Sequence, residues 1–224
     1  DDDYARNNNL DQLGKPEAWY ILNAKPGATL YWGTKEGITK ESLKKIGPDQ
    51  DQIRDQLMEI PVEEGDVIYL PPGMVHAIGE GIVLFEIQQN SDVTLGPDYL
   101  FSSGKKVDDT PIQKAFEMFL EQLKISNCSA SSAKIPSISL KEGNNRFNYL
   151  LANKYFALEK IELEESLLLT EDPINLDDKF SILTNLSGQV LLKTSDEEIQ
   201  LYPGQSVLIP ATLKEMQIKP LDNS

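Results

Sequence analysis

Short apolar runs, bounded by glycine, proline and charged residues, mark out strands along this chain. Ala18-Trp19-Tyr20-Ile21-Leu22 and Thr29-Leu30-Tyr31-Trp32 are rich in the aromatic and branched residues that fit a pleated, half-buried surface. Val67, Ile68 and Leu70 predict a buried strand that Pro71-Pro72-Gly73 must end, because proline donates nothing to a ladder and glycine permits a turn. A returning strand, Ile82 to Gln88, follows at once. Further along, Tyr155 to Ile161, Ser181-Ile182-Leu183 and Gln189-Val190-Leu191-Leu192 predict strands, with Leu186-Ser187-Gly188-Gln189 as a turn. Two segments depart from this pattern. Between Thr39 and Leu57, the charged stretch carrying Leu43, Ile46, Ile53 and Leu57 predicts one or two short inserted helices divided at Gly47-Pro48. From Pro111 to Ile125, Ile112, Ala115, Phe116, Phe119, Leu120 and Leu123 fall on one helix face, with Pro111 suited to the first turn.

The strand pattern repeats. Gly65-Asp66-Val67-Ile68-Tyr69-Leu70-Pro71 is echoed by Gly204-Gln205-Ser206-Val207-Leu208-Ile209-Pro210, at an offset of 139 residues from both 65 to 204 and 71 to 210. Each glycine marks a turn between two strands, and two similar β modules are the economical interpretation. The expected organisation is a first module over residues 1–110, a connecting helix and polar linker over 111–132, and a second module over 133–224. The same offset carries His76 onto Glu215, so the second module is not expected to repeat any chemistry based on histidine.

Charge narrows the partners. With 21 Lys+Arg against 36 Asp+Glu, the net charge of −15 repels phosphodiester backbones and anionic lipid surfaces, which argues against nucleic-acid and membrane roles. A phosphorylated substrate would need a local cationic pocket to overcome that field. The single cysteine, Cys128, cannot form an internal disulfide, and no apolar run approaches the ~20 residues of a membrane span. A cytoplasmic protein is expected. Residues Asp1 to Arg6 have neither the positive start nor the apolar core of a secretion signal, and their lack of an initiator methionine is taken as the mark of a processed, truncated or partly ordered chain.

His76 is the only histidine, and it stands just past Pro71-Pro72-Gly73, at or near the start of the returning strand, where a side chain can point into a barrel mouth. A neutral imidazole there is suited to a divalent metal. The bland alternative is a structural histidine satisfied by the backbone.

Lys15-Pro16-Glu17-Ala18-Trp19-Tyr20, Pro71-Pro72-Gly73-Met74-Val75-His76-Ala77-Ile78-Gly79 and Gln88-Gln89-Asn90-Ser91-Asp92, in this order and spacing, resemble the type I mannose-6-phosphate isomerases, zinc enzymes of the cupin superfamily. The resemblance runs on through Leu186 to Thr194 and Leu201-Tyr202-Pro203-Gly204. It implies a mainly β fold of two cupin-type β-barrel or jelly-roll modules with short helical insertions and a connecting helix. It also implies conversion of mannose 6-phosphate to fructose 6-phosphate through a metal-stabilised enediol(ate), with a phosphorylated hexose as substrate. In that family the metal is held by a glutamine and a histidine of one strand, a glutamate in a Lys-x-Glu element and a histidine in a His-Ala element. Carried over residue by residue, Glu17 and His76 are metal ligands for Zn2+, and Lys15 is the lysine that contacts substrate. Alternation along a strand sends Lys15 and Glu17 to one face. Surface carboxylate and solvated lysine are the alternatives from the residues alone.

Three departures stand out. The family's Gln-x-His-Pro element would fall just before Asp1. Gly96 stands where an arginine that meets the phosphorylated sugar is expected. Pro16 interrupts the Lys-x-Glu element and suits an edge or strand start. Two readings of these departures remain: a piece of a normal isomerase, which is preferred, or a non-catalytic sugar-binding or regulatory double cupin that is inactive as it stands.

Overall fold

The computed structural model describes residues 1–8, 10, 13–102, 105–106, 110–125, 130–170 and 179–221, so Cys128 and most of the expected linker lie outside the described residues. The chain divides into two compact units, Asp1–Ser137 with Leu150–Leu158, and Ile138–Tyr149 with Glu159–Ser224. The architecture is mainly β and of the cupin type.

The first unit opens with a short helix α1 (Asp2–Asn7), which sequence patterning did not mark; Asp1 caps it by accepting a hydrogen bond from the Tyr4 amide. Strands β1 (Glu17–Ala24), β2 (Thr29–Thr34), β3 (Leu57–Pro61), β4 (Val67–Leu70), β5 (His76–Ala77) and β6 (Ile82–Gln88) form two antiparallel sheets, ordered β4-β1-β6 and β3-β2-β5. Side chains of both sheets meet in one core: Trp19 and Ile21 from β1, Ile68 and Leu70 from β4, Leu30 and Trp32 from β2, and Ile60 from β3. Each of these buried side chains contributes roughly 1.5–3 kcal/mol by leaving water. The opposite face of β1 is covered too, since Tyr20 packs with Val67 and Leu150. This two-sided burial explains why β1 reads as a continuous apolar run rather than an alternating one.

Helices α2 (Lys40–Ile46) and α3 (Gln50–Arg54) sit between β2 and β3, as expected from Gly47-Pro48, and are capped by Thr39 and Asp49. Leu57, expected to be helical, instead opens β3, where it pairs with Thr34. Two hairpins of very short strands, β7 (Thr94–Leu95), β8 (Leu100–Ser102) and β9 (Lys105–Lys106), follow β6. The amphipathic helix α4 (Ile112–Gln122) then lays Phe116, Phe119 and Leu120, with the adjoining Leu123, against Leu43 of α2 and Ile53 of α3. Its stripe is therefore a core stripe of the first unit.

The course of the chain around His76 differs from a simple strand-and-return. Instead of starting β6, His76 and Ala77 cross to the other sheet and pair with Trp32 and Tyr31 of β2. Gly79 makes the crossing possible, because a Cβ there would collide with the Thr29 carbonyl oxygen.

Strands β10 (Ile138–Glu142), β11 (Asn145–Ala152) and β12 (Ala157–Glu162) form a meander, of which β10, the first part of β11 and most of β12 belong to the second unit. The rest of that unit comprises β13 (Leu167–Thr170), β14 (Ser181–Thr184), β15 (Gln189–Lys193), β16 (Glu198–Leu201), β17 (Ser206–Ile209) and β18 (Glu215–Leu221). They form the sheets β13-β18-β15-β16 and β14-β17, around a core of Leu192, Leu201, Met216 and Ile218.

The sequence repeat is also a structural one. Gly65 and Gly204 both have positive φ, 92° and 83°. Asp66 N donates to Glu63 O as Gln205 N donates to Tyr202 O, and Met74 N donates to Pro71 O as Leu213 N donates to Pro210 O. Tyr20 pairs with Val67 as Thr184 pairs with Ser206, which makes β14 the counterpart of β1.

Candidate functional site

Lys15, Glu17 and His76 come together at one end of the first unit's two sheets. Glu17 is the first residue of β1, and its register places it opposite Leu70 on one side and Gln88 on the other. Period-two alternation puts its side chain on the inward face shared with Trp19 and Ile21. Pro16 lies just before the strand, so its missing N–H removes nothing from the ladder, and its carbonyl accepts from Gln89 N at 3.1 Å. His76 arrives from the opposite sheet.

The approach of His76 is set by a tight turn. Pro71-Pro72-Gly73-Met74 closes with a Met74 N to Pro71 O hydrogen bond of 3.0 Å, and Gly73 has φ 86°, the combination of a type II turn with proline and glycine at its two central positions. Gly73 O accepts from Lys124 N at 2.8 Å, strapping the turn to the chain that leaves α4. The turn thereby fixes the Met74 carbonyl, which lies 2.8 Å from His76 Nδ1. A carbonyl can only accept, so Nδ1 carries the hydrogen, and the neutral ring presents a bare Nε2 lone pair. The backbone partner foreseen for a structural histidine is present, but it satisfies only one nitrogen. The other, Nε2, stands 3.4 Å from Glu17 Oε2. The edge of one ring meets the face of the other between Trp19 and His76, at 5.2 Å and 83°. Trp19 is anchored by its Nε1 donating to Glu86, and Trp32, directly opposite His76, donates to the Tyr69 carbonyl. Sequence reasoning placed both tryptophans on strands without assigning them to the site; their alternation with Glu17 and their aromatic character were the available signal.

The electrostatics are those of a shielded carboxylate. The Glu17 side chain is only 5% exposed, and its Oε1 lies 2.8 Å from Lys15 Nζ, whose side chain is 21% exposed. Burial pushes the Glu17 carboxyl up, but His76 in its protonated form, donating from Nε2, and the Lys15 ammonium together outweigh it and hold the group below its ordinary value; a metal would stand where that Nε2 proton does. Glu17 is therefore held as an anion despite its burial.

This pair suits a metal in three respects. It offers one carboxylate and one imidazole, both proper zinc donors. The outer nitrogen of the imidazole is tied to a backbone carbonyl, the usual arrangement that orients a ligating histidine. Two ligand atoms on one tetrahedral zinc stand roughly 3.3–3.5 Å apart, and Nε2 and Oε2 are separated by 3.4 Å. Among the described residues no group of three or more His, Cys, Asp or Glu that could hold a metal ion converges.

The second unit keeps the frame without these side chains. Glu17 pairs with Leu70 where Ser181 pairs with Ile209, and the offset that takes Leu70 to Ile209 takes His76 to Glu215. At the position expected for arginine, Gly96 occupies the turn between β7 and β8, donating to Tyr99 O at 2.9 Å. A Cβ at Gly96 would run into the Tyr99 ring, so this turn is closed to any larger residue unless Tyr99 moves.

Comparison with known proteins agrees with this architecture. The family profile described as "Mannose-6-phosphate isomerase, cupin domain" matches residues 146–220. A mannose-6-phosphate isomerase of Streptococcus mutans is 29% identical over 210 residues, covering 92% of this chain and 61% of that protein. A putative mannose-6-phosphate isomerase of Bacillus subtilis is 25% identical over 219 residues, covering 98% of this chain and 66% of that protein. The crystal structure of a Bacillus subtilis mannose 6-phosphate isomerase superposes with a TM-score of 0.77 at 24% identity, over 98% of this chain and 66% of that one. The chain thus spans a little under two thirds of the length of the relatives it matches. With the fold, the repeat and these likenesses in agreement, the chain is similar along nearly its whole length to type I mannose-6-phosphate isomerases, and its fold is that of cupin proteins.

Proposed function

We propose that the protein is an aldose-ketose isomerase that interconverts mannose 6-phosphate and fructose 6-phosphate, with Glu17 and His76 as metal ligands and Lys15 as the substrate-contacting cation. The convergence of Lys15, Glu17 and His76 from two facing sheets carries this reading. Zinc held there would supply Lewis acidity, lowering the energy of the oxyanion that forms when a proton leaves the carbon beside the carbonyl.

The chain's own residues contribute the rest. Glu17 supplies negative charge in a dry setting, where its pull on a cation is far stronger than in water. His76 supplies a neutral nitrogen already turned toward the same point by Met74. Lys15, partly exposed, has three donors and can hydrogen-bond a sugar oxygen while one N–H still donates to the Glu17 carboxylate, favouring charge that develops on that oxygen. Trp19 meets the imidazole edge to face and limits its swing, and Trp32 stands opposite His76 on β2.

The test is a coupled assay of fructose 6-phosphate conversion by purified protein, with and without zinc and with a chelator. Metal-dependent turnover that is lost in His76→Ala is expected. Full turnover in that variant would remove the proposed role.

A further inference from the structure

We propose that Asp2 is a positioning residue for Lys15, clamping the chain segment that presents the ammonium to Glu17. The functional weight of this clamp rests on the role proposed for Lys15 above. Asp2 and Lys15 do not touch; the coupling runs through the backbone. Asp2 Oδ1 accepts from Gly14 N at 2.8 Å and from Gln89 Nε2 at 3.2 Å, while Oδ2 accepts from the Tyr155 hydroxyl at 3.2 Å. One carboxylate thus joins three separate stretches of the first unit.

Gly14 is the residue immediately before Lys15. It is buried, and a Cβ on it would come within 2.7 Å of the Asp1 and Asp2 backbone, so the two chain segments are in the closest contact glycine allows. Gln89 reaches the same element from the other side, because its own amide donates to Pro16 O at 3.1 Å. Ser91, almost fully buried, completes the hold by donating from Oγ to Leu13 O at 2.6 Å. Lys15 is therefore bracketed at residues 13, 14 and 16 by partners that Asp2 and the residues just after β6 supply. Gln89 is kept in place at a cost, since its Oε1 is buried without a hydrogen-bond partner. Native structures tolerate such orphans where a position matters.

The clamp is charged. The Gly14 amide above all, then the Gln89 amide and the Tyr155 hydroxyl, hold the Asp2 carboxyl below its ordinary value against burial, so the anion is what the three donors recognise. Asp2 also lies outside the Glu17–His76 pair, which lets its effect on Lys15 be read separately from metal binding.

Lysine-selective acylation of the folded protein, with site-resolved rates from mass spectrometry, tests the clamp directly. In Asp2→Ala the Lys15 rate is expected to rise on the order of tenfold, the factor that one hydrogen bond to a charged group contributes to a local opening equilibrium. Lys134, paired with Asp66 at 2.7 Å, serves as the reference and is expected to stay unchanged. Asp2→Asn, whose amide oxygen still accepts from Gly14 but carries no charge, is expected to restore part of the protection. Should Asp2→Ala not fold, Tyr155→Phe removes one tie alone and is expected to raise the Lys15 rate by a smaller factor. An unchanged Lys15 rate, or equal acceleration of Lys15 and Lys134, would overturn the proposal. Zinc affinity and turnover of the wild-type protein are measured in parallel; their absence would remove the function proposed for Lys15 while leaving the labelling result standing.

Discussion

Replacing Gly73 by alanine strikes the turn that aims His76, and its effect can be worked out against an internal control. Gly73 and Gly65 both adopt positive φ, 86° and 92°, and both lie in the first unit. An added Cβ at Gly65 meets nothing within 4 Å, whereas at Gly73 it would come 2.5 Å from the Gln122 carbonyl oxygen. Gly65→Ala should therefore show the backbone penalty alone, about 1–2 kcal/mol for a left-handed L-residue. Gly73→Ala adds the displacement of a carbonyl near the C-terminal end of α4, and overpacking of that kind costs about 1–3 kcal/mol more. Denaturant unfolding of both variants beside the wild type measures the difference, provided m-values stay equal. Zinc titration of the same samples then asks whether displacing Gly73 weakens the grip of His76; weaker binding is expected in Gly73→Ala and not in Gly65→Ala. Equal destabilisation of the two variants, with equal zinc affinity, would refute the idea that α4 braces the histidine through Gly73.

Other consequences follow from particular contacts. Glu17→Gln should flatten the acid limb of the stability curve: the folded carboxyl sits below its ordinary value of 4.5, so its stabilisation is complete above that value and lost as pH falls through the folded one, a loss the amide cannot show. Acid titration of both proteins checks this, and parallel curves would contradict it. Asn145, 3% exposed, accepts from both Glu164 N and Glu165 N, so Asn145→Ala should destabilise the second unit by about 1–3 kcal/mol through the loss of two hydrogen bonds, measured by thermal unfolding. Trp19→Phe keeps a ring beside His76 but drops the Nε1 bond to Glu86; it should cost about 1–3 kcal/mol in denaturant unfolding and leave zinc binding within about threefold.

Most strands were legible because their residues are branched or aromatic and end in glycine or proline; Gly65 and Gly204, for instance, announced both the turns and the duplication. The α4 stripe was legible for the same reason, since its period matches one packed face. The cross-over of His76 was not, because a two-residue strand has no period to detect and its partner, Trp32, lies more than forty positions away. Leu57 was misjudged for a related reason: its spacing continues a helical pattern, but pairing with Thr34 across the sheet outweighs that local preference. Lys15 and Glu17 were placed on one face by alternation, yet only coordinates reveal that the carboxylate is buried and shared by two nitrogen partners. The Asp2 clamp joins residues up to 153 positions apart and leaves no trace in local composition.

The most direct measurement is the anomalous difference density of zinc in crystals of the protein. The account predicts a peak about 2.0–2.2 Å from both His76 Nε2 and a Glu17 carboxylate oxygen. Zinc bound away from this pair, or a Glu17 side chain turned out of the first unit's core, would contradict it.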